Sequence, residues 1–303
     1  MYNAFFGFNK TPFSLVPDPD FLYLSPGHKK AWIILKYGLL SQAGFTVVTG
    51  EIGAGKTTLI RKMLSSLPKQ CEVGLITNTH SSFGDLLTWV LAAFNISCAA
   101  QDKAGRYQAF VEFLKYQQRQ NKRVILIVDE AQNMDLQTLE ELRLLSNINV
   151  GQDILLQLVL AGQPELVDKL NSPELVQFAQ RISAEYHLMP MDFEQTQQYI
   201  KHRLAIAGGS ESLFDELACA VVFYYSGGIP RLINNICDLS LVYAFSEEKH
   251  FVTGTIVLEV VIAKKTSGIV AYKGVADEQA ALLRKQMLAK YNIDIGLLAQ
   301  SVE

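Results

Sequence analysis

Short β-branched and apolar runs recur at residues 45–49, 73–77, 124–128 and 154–160, and segments of helical period separate them at 56–67, 82–94, 105–118 and 136–147. A fifth run at 185–188 stops before Pro190. The 124–128 run is apolar at every position, as suits a strand covered on both faces. Strands alternating with helices predict a parallel sheet with helices on both faces. From Asp192 the strand signal ends. Helical segments follow at 192–207 with Asp192 as cap, at 212–225, and at 230–245, where Pro230 takes the first turn. One more helix after Thr253 and another at 278–290 complete the pattern, and about the last dozen residues read as a mobile end.

The predicted organisation is an ordered lead-in over residues 1–30, an α/β nucleotide-binding domain over 31–190, a small all-α lid domain over 191–265 and a helical tail over 266–303. The lead-in is rich in Phe, Pro and Asp with little periodicity, and its aromatics are expected to pack on the domain that follows.

One octapeptide changes the picture from fold to chemistry. Gly50-Glu51-Ile52-Gly53-Ala54-Gly55-Lys56-Thr57 matches G-x-x-x-x-G-K-[ST] in full, directly after a predicted strand and before a predicted helix. In that setting the glycines let the backbone curl so that successive N–H groups face phosphate oxygens. Lys56 reaches the β- and γ-phosphates, Thr57 offers its hydroxyl to Mg2+, and the helix directs its positive end at the anion. The apolar strand 124–128 then ends in Asp129 and Glu130. A central parallel strand delivers its C-terminal end to the same rim as the first strand, so Asp129 is expected to hold Mg2+ through water and Glu130 to polarise the attacking water.

Weaker candidates follow. Gln163 comes after the fourth strand, where it is read either as a contact to the γ-phosphate or attacking water, or as part of a plain Gly162-Gln163-Pro164 turn. Arg231 sits in the first turn of a helix, a position the dipole disfavours for a cation, and is expected to fold back onto the phosphates as the lid closes. Arg181, before the fifth strand, and Arg143, on the helix after the acidic pair, are candidates to reach a neighbouring subunit's nucleotide. Pairing with a surface acid is the alternative for both.

Composition adds limits. The 303 residues are 49% hydrophobic and 19% charged with a formal net charge of -3, so no global attraction to nucleic acid or acidic membrane is implied. Cys71, Cys98, Cys219 and Cys237 form no C-x-x-C pair and read as buried free thiols. The start lacks a basic and then apolar signal pattern, and no stretch offers the ~18 uninterrupted apolar residues of a membrane span, so a cytoplasmic location is expected.

Taken together, the P-loop, the Asp129-Glu130 strand end, the polar Gln163 and the Gly228-Ile229-Pro230-Arg231 helix start resemble an AAA+ ATPase over about residues 21–245. More narrowly, the sequence is similar to the ExeA/GspA family, which includes MshM-type pilus-biogenesis ATPases. The resemblance is carried by Phe5-Phe6-Gly7-Phe8, Pro12-Phe13, Pro17-Asp18-Pro19-Asp20-Phe21-Leu22-Tyr23, the P-loop continued to Thr58, and Asp129-Glu130-Ala131-Gln132. It continues through Leu142-Arg143-Leu144-Leu145-Ser146-Asn147, Ala161-Gly162-Gln163-Pro164-Glu165-Leu166 and Gln180-Arg181-Ile182.

The resemblance implies ATP and Mg2+ as ligands, self-assembly into a ring or filament, and envelope partners in type II secretion or type IV pilus-like machinery. It also allows peripheral attachment to the inner membrane through a partner. Adenine preference rests on it alone, since no base-reading N-K-x-D motif is present. Some relatives continue into a membrane span and a peptidoglycan-binding domain; this sequence ends without either, as a shorter relative or a piece of a longer chain would, which argues against a direct cell-wall role. The fold is similar as well to transposition ATPases of the TniB, TnsC and MuB type, which makes an ATP-dependent DNA-binding regulator the alternative reading. An envelope scaffold that barely hydrolyses nucleotide is a third, disfavoured by Glu130.

Overall fold

Five strands, β1 (Phe45–Gly50), β2 (Cys71–Ile76), β3 (Arg123–Val128), β4 (Leu156–Gly162) and β5 (Ile182–Leu188), make one sheet in the computed structural model, which describes residues 1–16, 18–41, 44–68, 70–77, 85–100, 102–150, 153–267, 277–291 and 294. Their order is β2-β3-β4-β1-β5, and every pairing is parallel. β1 and β4 are buried along their whole length and β3 is buried after Arg123, as strands covered on both faces must be. β5, at the edge, buries Ala184 and Leu188 and exposes Ser183, Glu185 and His187. The parallel five-stranded sheet with flanking helices is the predicted architecture.

Leu160 lies in register with Val47 on one side and Val128 on the other. The chain therefore leaves β1, β3 and β4 at one rim, where a parallel sheet places its ligands. β4 begins at Leu156; Ile154, which the sequence pattern assigns to this strand, pairs instead in a two-residue antiparallel ladder with Asn149.

The structure contains a helix that hydrophobic periodicity did not reveal, Pro26–Leu40. It buries Ala31, Leu35 and Leu39 while exposing Ile33, Tyr37 and Leu40, so apolar residues on both faces blur the 3.6-residue period. Gly38 lets it seat closely, since a Cβ there would fall 2.0 Å from Thr46 Oγ1. The start of the helix expected at 82–94 lies outside the described residues; Leu86–Ala93 is helical, capped by Asp85.

The chain divides into two compact units, Pro26–Ile52 with Lys56–Leu188, and Met1–Ser25 with Gly53–Gly55 and Met189–Glu303. The second is built from helices Phe193–Ile206, Glu216–Ser226, Pro230–Ser246, Gly254–Ser267 and Asp277–Tyr291. Asp192 and Asp215 cap the first two by accepting from Gln195 and Ala218 N–H groups. The mobile end expected for the tail falls outside the described residues except for Asp294, which pairs with Arg284 at 3.0 Å. Among the described residues no helix is long and apolar enough to cross a membrane.

Residues 1–25 of the lead-in belong to this helical unit, not to the α/β domain on which its aromatics were expected to pack, and residues 26–30 start the helix Pro26–Leu40 of the α/β unit. Tyr2, Phe8, Phe13 and Phe21 are part of the helical core. Two glycines make room for it: a Cβ on Gly208 would meet the Asn9 amide at 2.5 Å and one on Gly209 the Phe8 ring at 2.2 Å. The Asn9 N–H donates to the Ala207 carbonyl at 2.8 Å. The buried Arg203 guanidinium donates to the Pro12 and Ser14 carbonyls and to Tyr199 Oη, and lies 4.8 Å from the Phe21 ring centre. Tyr199 Oη donates in turn to Asn234 Oδ1 at 2.8 Å, and Tyr2 donates to Asp238. Such a network satisfies a guanidinium without a carboxylate.

All four cysteines are free. Cys219 and Cys237 are buried as expected, whereas Cys71 and Cys98 are only half-buried, Cys71 because it opens the edge strand β2.

Candidate active site

The turn after β1 is shaped by glycine. Gly53 and Gly55 have φ of +79° and +103°, and a Cβ on Gly50 would sit 2.7 Å from the Leu188 carbonyl oxygen of β5. Lys56 opens the helix Lys56–Ser66 and is 5% exposed; its Nζ donates to the Gly50 carbonyl at 2.8 Å and to the Glu51 carbonyl at 3.0 Å. Burial pulls the Lys56 ammonium below its ordinary range, against the opposing pull of Glu130, Asp129, Glu51 and Glu165. A buried cation held by carbonyls and faced by several acids is poised to exchange those partners for phosphate oxygens.

Thr57 Oγ1 donates to Asp129 Oδ2 at 2.7 Å, bringing together the two residues expected to serve Mg2+. Asp129 is 5% exposed, its N–H is tied to the Ile76 carbonyl at 2.8 Å, and its Oδ1 accepts from the Glu130 N–H at 3.0 Å. The set fits a Mg-nucleoside triphosphate, because a hydroxyl and a carboxylate at a helix start leave the remaining oxygen ligands to water and phosphate.

Glu130 follows in the left-handed region, φ +56° and ψ +36°, a conformation uncommon for a residue with a side chain. Its Oε2 accepts from Gln132 Nε2 at 2.6 Å and from Gln163 Nε2 at 3.1 Å. Burial pushes the Glu130 carboxyl up, but the hydrogen bonds from Gln132 and Gln163 and the charge of Lys56 outweigh it together, leaving the group below its ordinary value. It is therefore ionised at neutral pH and able to accept a proton.

Gln163 lies between β4 and the helix Pro164–Leu170, and its Nε2 donates to Glu130 Oε2. Arg143 forms an ion pair with Glu140 at 2.6 Å, and Arg181 Nη1 donates to Ser146 Oγ at 3.2 Å, which places both arginines by the helix Leu136–Leu145 and Ser146. Surface pairing, one of the two options weighed for Arg143, is what its side chain makes here. Arg231 is in the first turn of Pro230–Ser246 as expected; within its own unit its N–H donates to the Gly53 carbonyl at 3.3 Å, and a Cβ on Gly53 would meet Arg231 Cβ at 2.5 Å.

Two residues without a role in the sequence reading emerge beside Glu130. Gln132 is one, and Lys169, whose Nζ donates to the carbonyls of Gln132 at 2.6 Å and Met134 at 2.7 Å, is the other. Gln132 was visible only as part of Asp129-Glu130-Ala131-Gln132; nothing in the pattern of the helix 164–170 singles out Lys169.

Residues 39–170 match the family described as an AAA domain. The chain is 41% identical over 254 residues to General secretion pathway protein A of Aeromonas hydrophila, a match covering 82% of this chain and 46% of that protein, so it spans about half of the relative's length. Among solved structures it is similar to the ORC2 protein of Aeropyrum pernix (TM-score 0.61, 14% identity, 95% of this chain and 86% of that one). Cdc6p of Pyrobaculum aerophilum gives a TM-score of 0.62 at 15% identity over 86% of this chain and 72% of that one. The RuvB Holliday junction branch migration motor of Thermotoga maritima gives 0.54 at 17% identity over 93% and 82%. These distant likenesses establish the P-loop NTPase fold with its helical C-terminal region, and the match to the secretion protein bears out the resemblance read from the motifs.

Proposed function

We propose that this AAA+ chain of the ExeA/GspA type is a Mg-dependent ATPase, in which ATP-driven self-association and domain closure assist assembly of a type II secretion or type IV pilus-like envelope machine. The observation that carries the reading is the convergence at one rim of Lys56, the Thr57–Asp129 pair and the Glu130–Gln163 pair. The envelope role rests on the similarity to the secretion protein.

In the proposed reaction Lys56 trades its carbonyl partners for the β- and γ-phosphates, and the N–H groups of Gly53 to Thr57 bind phosphate oxygens. Thr57 and Asp129 would hold Mg2+, which supplies charge neutralisation of the phosphates when bound. Glu130, ionised and beside Lys56, orients a water and takes its proton as the water attacks the γ-phosphorus, while the bond from that phosphorus to the β–γ bridging oxygen breaks and ADP leaves with the bonding pair. Gln163 senses the γ-phosphate side of the site. Arg231 is the candidate to follow lid closure, and Arg181 the candidate to act on a neighbouring subunit's nucleotide. The assignment places the protein in the cytoplasm, peripheral to the inner membrane through its partner.

The test is mass by light scattering, with ADP and with ATP plus Mg2+, for the parent, Lys56→Ala and Glu130→Gln, alongside ATP turnover and a parallel run with duplex DNA. An ATP-dependent oligomer lost in Lys56→Ala, retained in Glu130→Gln and indifferent to DNA is the expected result. Normal turnover in Glu130→Gln overturns the assignment of Glu130; a monomer that assembles only on DNA overturns the envelope reading.

A further inference from the structure

Gln132 stands at the junction of two strand ends and makes three connections. Its Nε2 donates to Glu130 Oε2 at 2.6 Å, its Oε1 accepts the Gln163 N–H at 3.0 Å, and its carbonyl accepts from Lys169 Nζ at 2.6 Å. The orientation of the amide follows from its neighbours: an ionised carboxylate only accepts and a backbone N–H only donates, so nitrogen must face Glu130 and oxygen must face Gln163. Gln132 is 9% exposed, and Gly162 leaves it room, since a Cβ there would come within 3.2 Å of Gln132 Oε1. The turn is held from below by Lys169 and departs from ordinary backbone at Glu130, φ +56°. Glu130 and Gln163 are thus joined twice, once directly and once through the Gln132 amide.

We propose that Gln132 is a positioning residue that locks the Glu130 carboxylate to the end of β4, so that a displacement of Gln163 at the γ-phosphate is passed to the group that activates water. The inference rests on the ATPase reading above. In this arrangement one carboxylate oxygen is committed to two amide donors, which fixes the direction in which Glu130 faces. Because the same amide holds the Gln163 backbone, the end of β4 cannot shift without loosening Glu130. Losing Gln132 leaves nucleotide binding by Lys56 and Thr57 intact and releases the base from its sensor.

The experiment compares the parent with Gln132→Met, Gln163→Met and the double variant; Met keeps length and burial but donates nothing. The expected result for Gln132→Met is a kcat lower by about 10–100-fold with the KM for ATP changed less than about twofold, the pattern of a group that acts on the transition state. The double variant should be little worse than either single one, because the two residues act as a unit. Amide hydrogen exchange at Gln163, whose N–H donates to Gln132 Oε1 at 3.0 Å, should be faster in Gln132→Met than in the parent, and this readout needs no turnover. Unchanged exchange at Gln163 with unchanged kcat, or losses that simply add in the double variant, overturns the inference. Should Lys56→Ala turn over ATP like the parent, the ATPase reading fails instead, while exchange at Gln163 still decides whether Gln132 holds the end of β4.

Discussion

Deleting residues 2–14 should unfold the helical unit, although a segment so poor in regular structure reads as dispensable. The deletion removes Tyr2 and Phe8, each 7% exposed, and Phe13, fully buried. Burial of such side chains stabilises by roughly 1.5–3 kcal/mol each, as an upper estimate. It also takes away the Pro12 and Ser14 carbonyls, leaving Arg203, 7% exposed, with Tyr199 Oη as its remaining hydrogen-bond partner in this network. Orphaning a buried charge costs about 3–5 kcal/mol. Together these losses reach roughly 8–14 kcal/mol, the same size as the ~5–15 kcal/mol that holds an ordinary domain folded. The assay is amide hydrogen exchange read by mass spectrometry across residues 193–261 in parent and truncated chains. Protection should collapse there in the truncated chain. Phe13→Ala, with an expected cost of about 3–5 kcal/mol, grades the effect without removing the strap. Unchanged exchange in the truncated chain would refute the reasoning, because it would mean that the lead-in contributes neither core nor acceptors.

Three further outcomes can be checked. Gly228→Ala should lower the melting temperature strongly and more than a typical surface change, since its φ is +72° and a Cβ would lie 1.8 Å from the Met191 carbonyl oxygen. Asp135→Ala should cost about 0.5–2 kcal/mol in denaturant titration, because Asp135 caps Leu136–Leu145 by accepting the Thr138 N–H at 2.7 Å. Hydrogen bonding to Thr138 holds that carboxyl below its ordinary value, so its contribution is present above the unfolded-state pKa and fades as pH falls through the lower folded-state one; the parent–variant difference should shrink on acidification. Cys219, pushed up to about 12 by burial, and Cys237, raised well above its ordinary value by the same cause, should resist alkylation until the chain unfolds, and rapid labelling of either under native conditions would contradict the described core.

What could be read from sequence divides along a physical line. Gly50 to Thr57 and the Asp129-Glu130 strand end are local signals, where chemistry and strand context sit within a few residues of one another, and the sheet places them at one rim as parallel topology demands. The helix Pro26–Leu40 escaped because its second apolar face, Ile33, Tyr37 and Leu40, removes the amphipathic contrast by which helices are recognised. The lead-in was misplaced for a different reason: its partners, Arg203, Asp238 and the Gly208-Gly209 pair, lie far along the chain, and no period links them. Gln132 belongs to the same class. Its neighbour Glu130 is two positions away, but its other neighbour, Gln163, becomes adjacent only because β4 inserts beside β3 in the sheet. A residue whose task is to join two strand ends carries no local signature of that task. Such residues are found by asking, for each buried amide at a strand end, which donor and which acceptor fix its orientation.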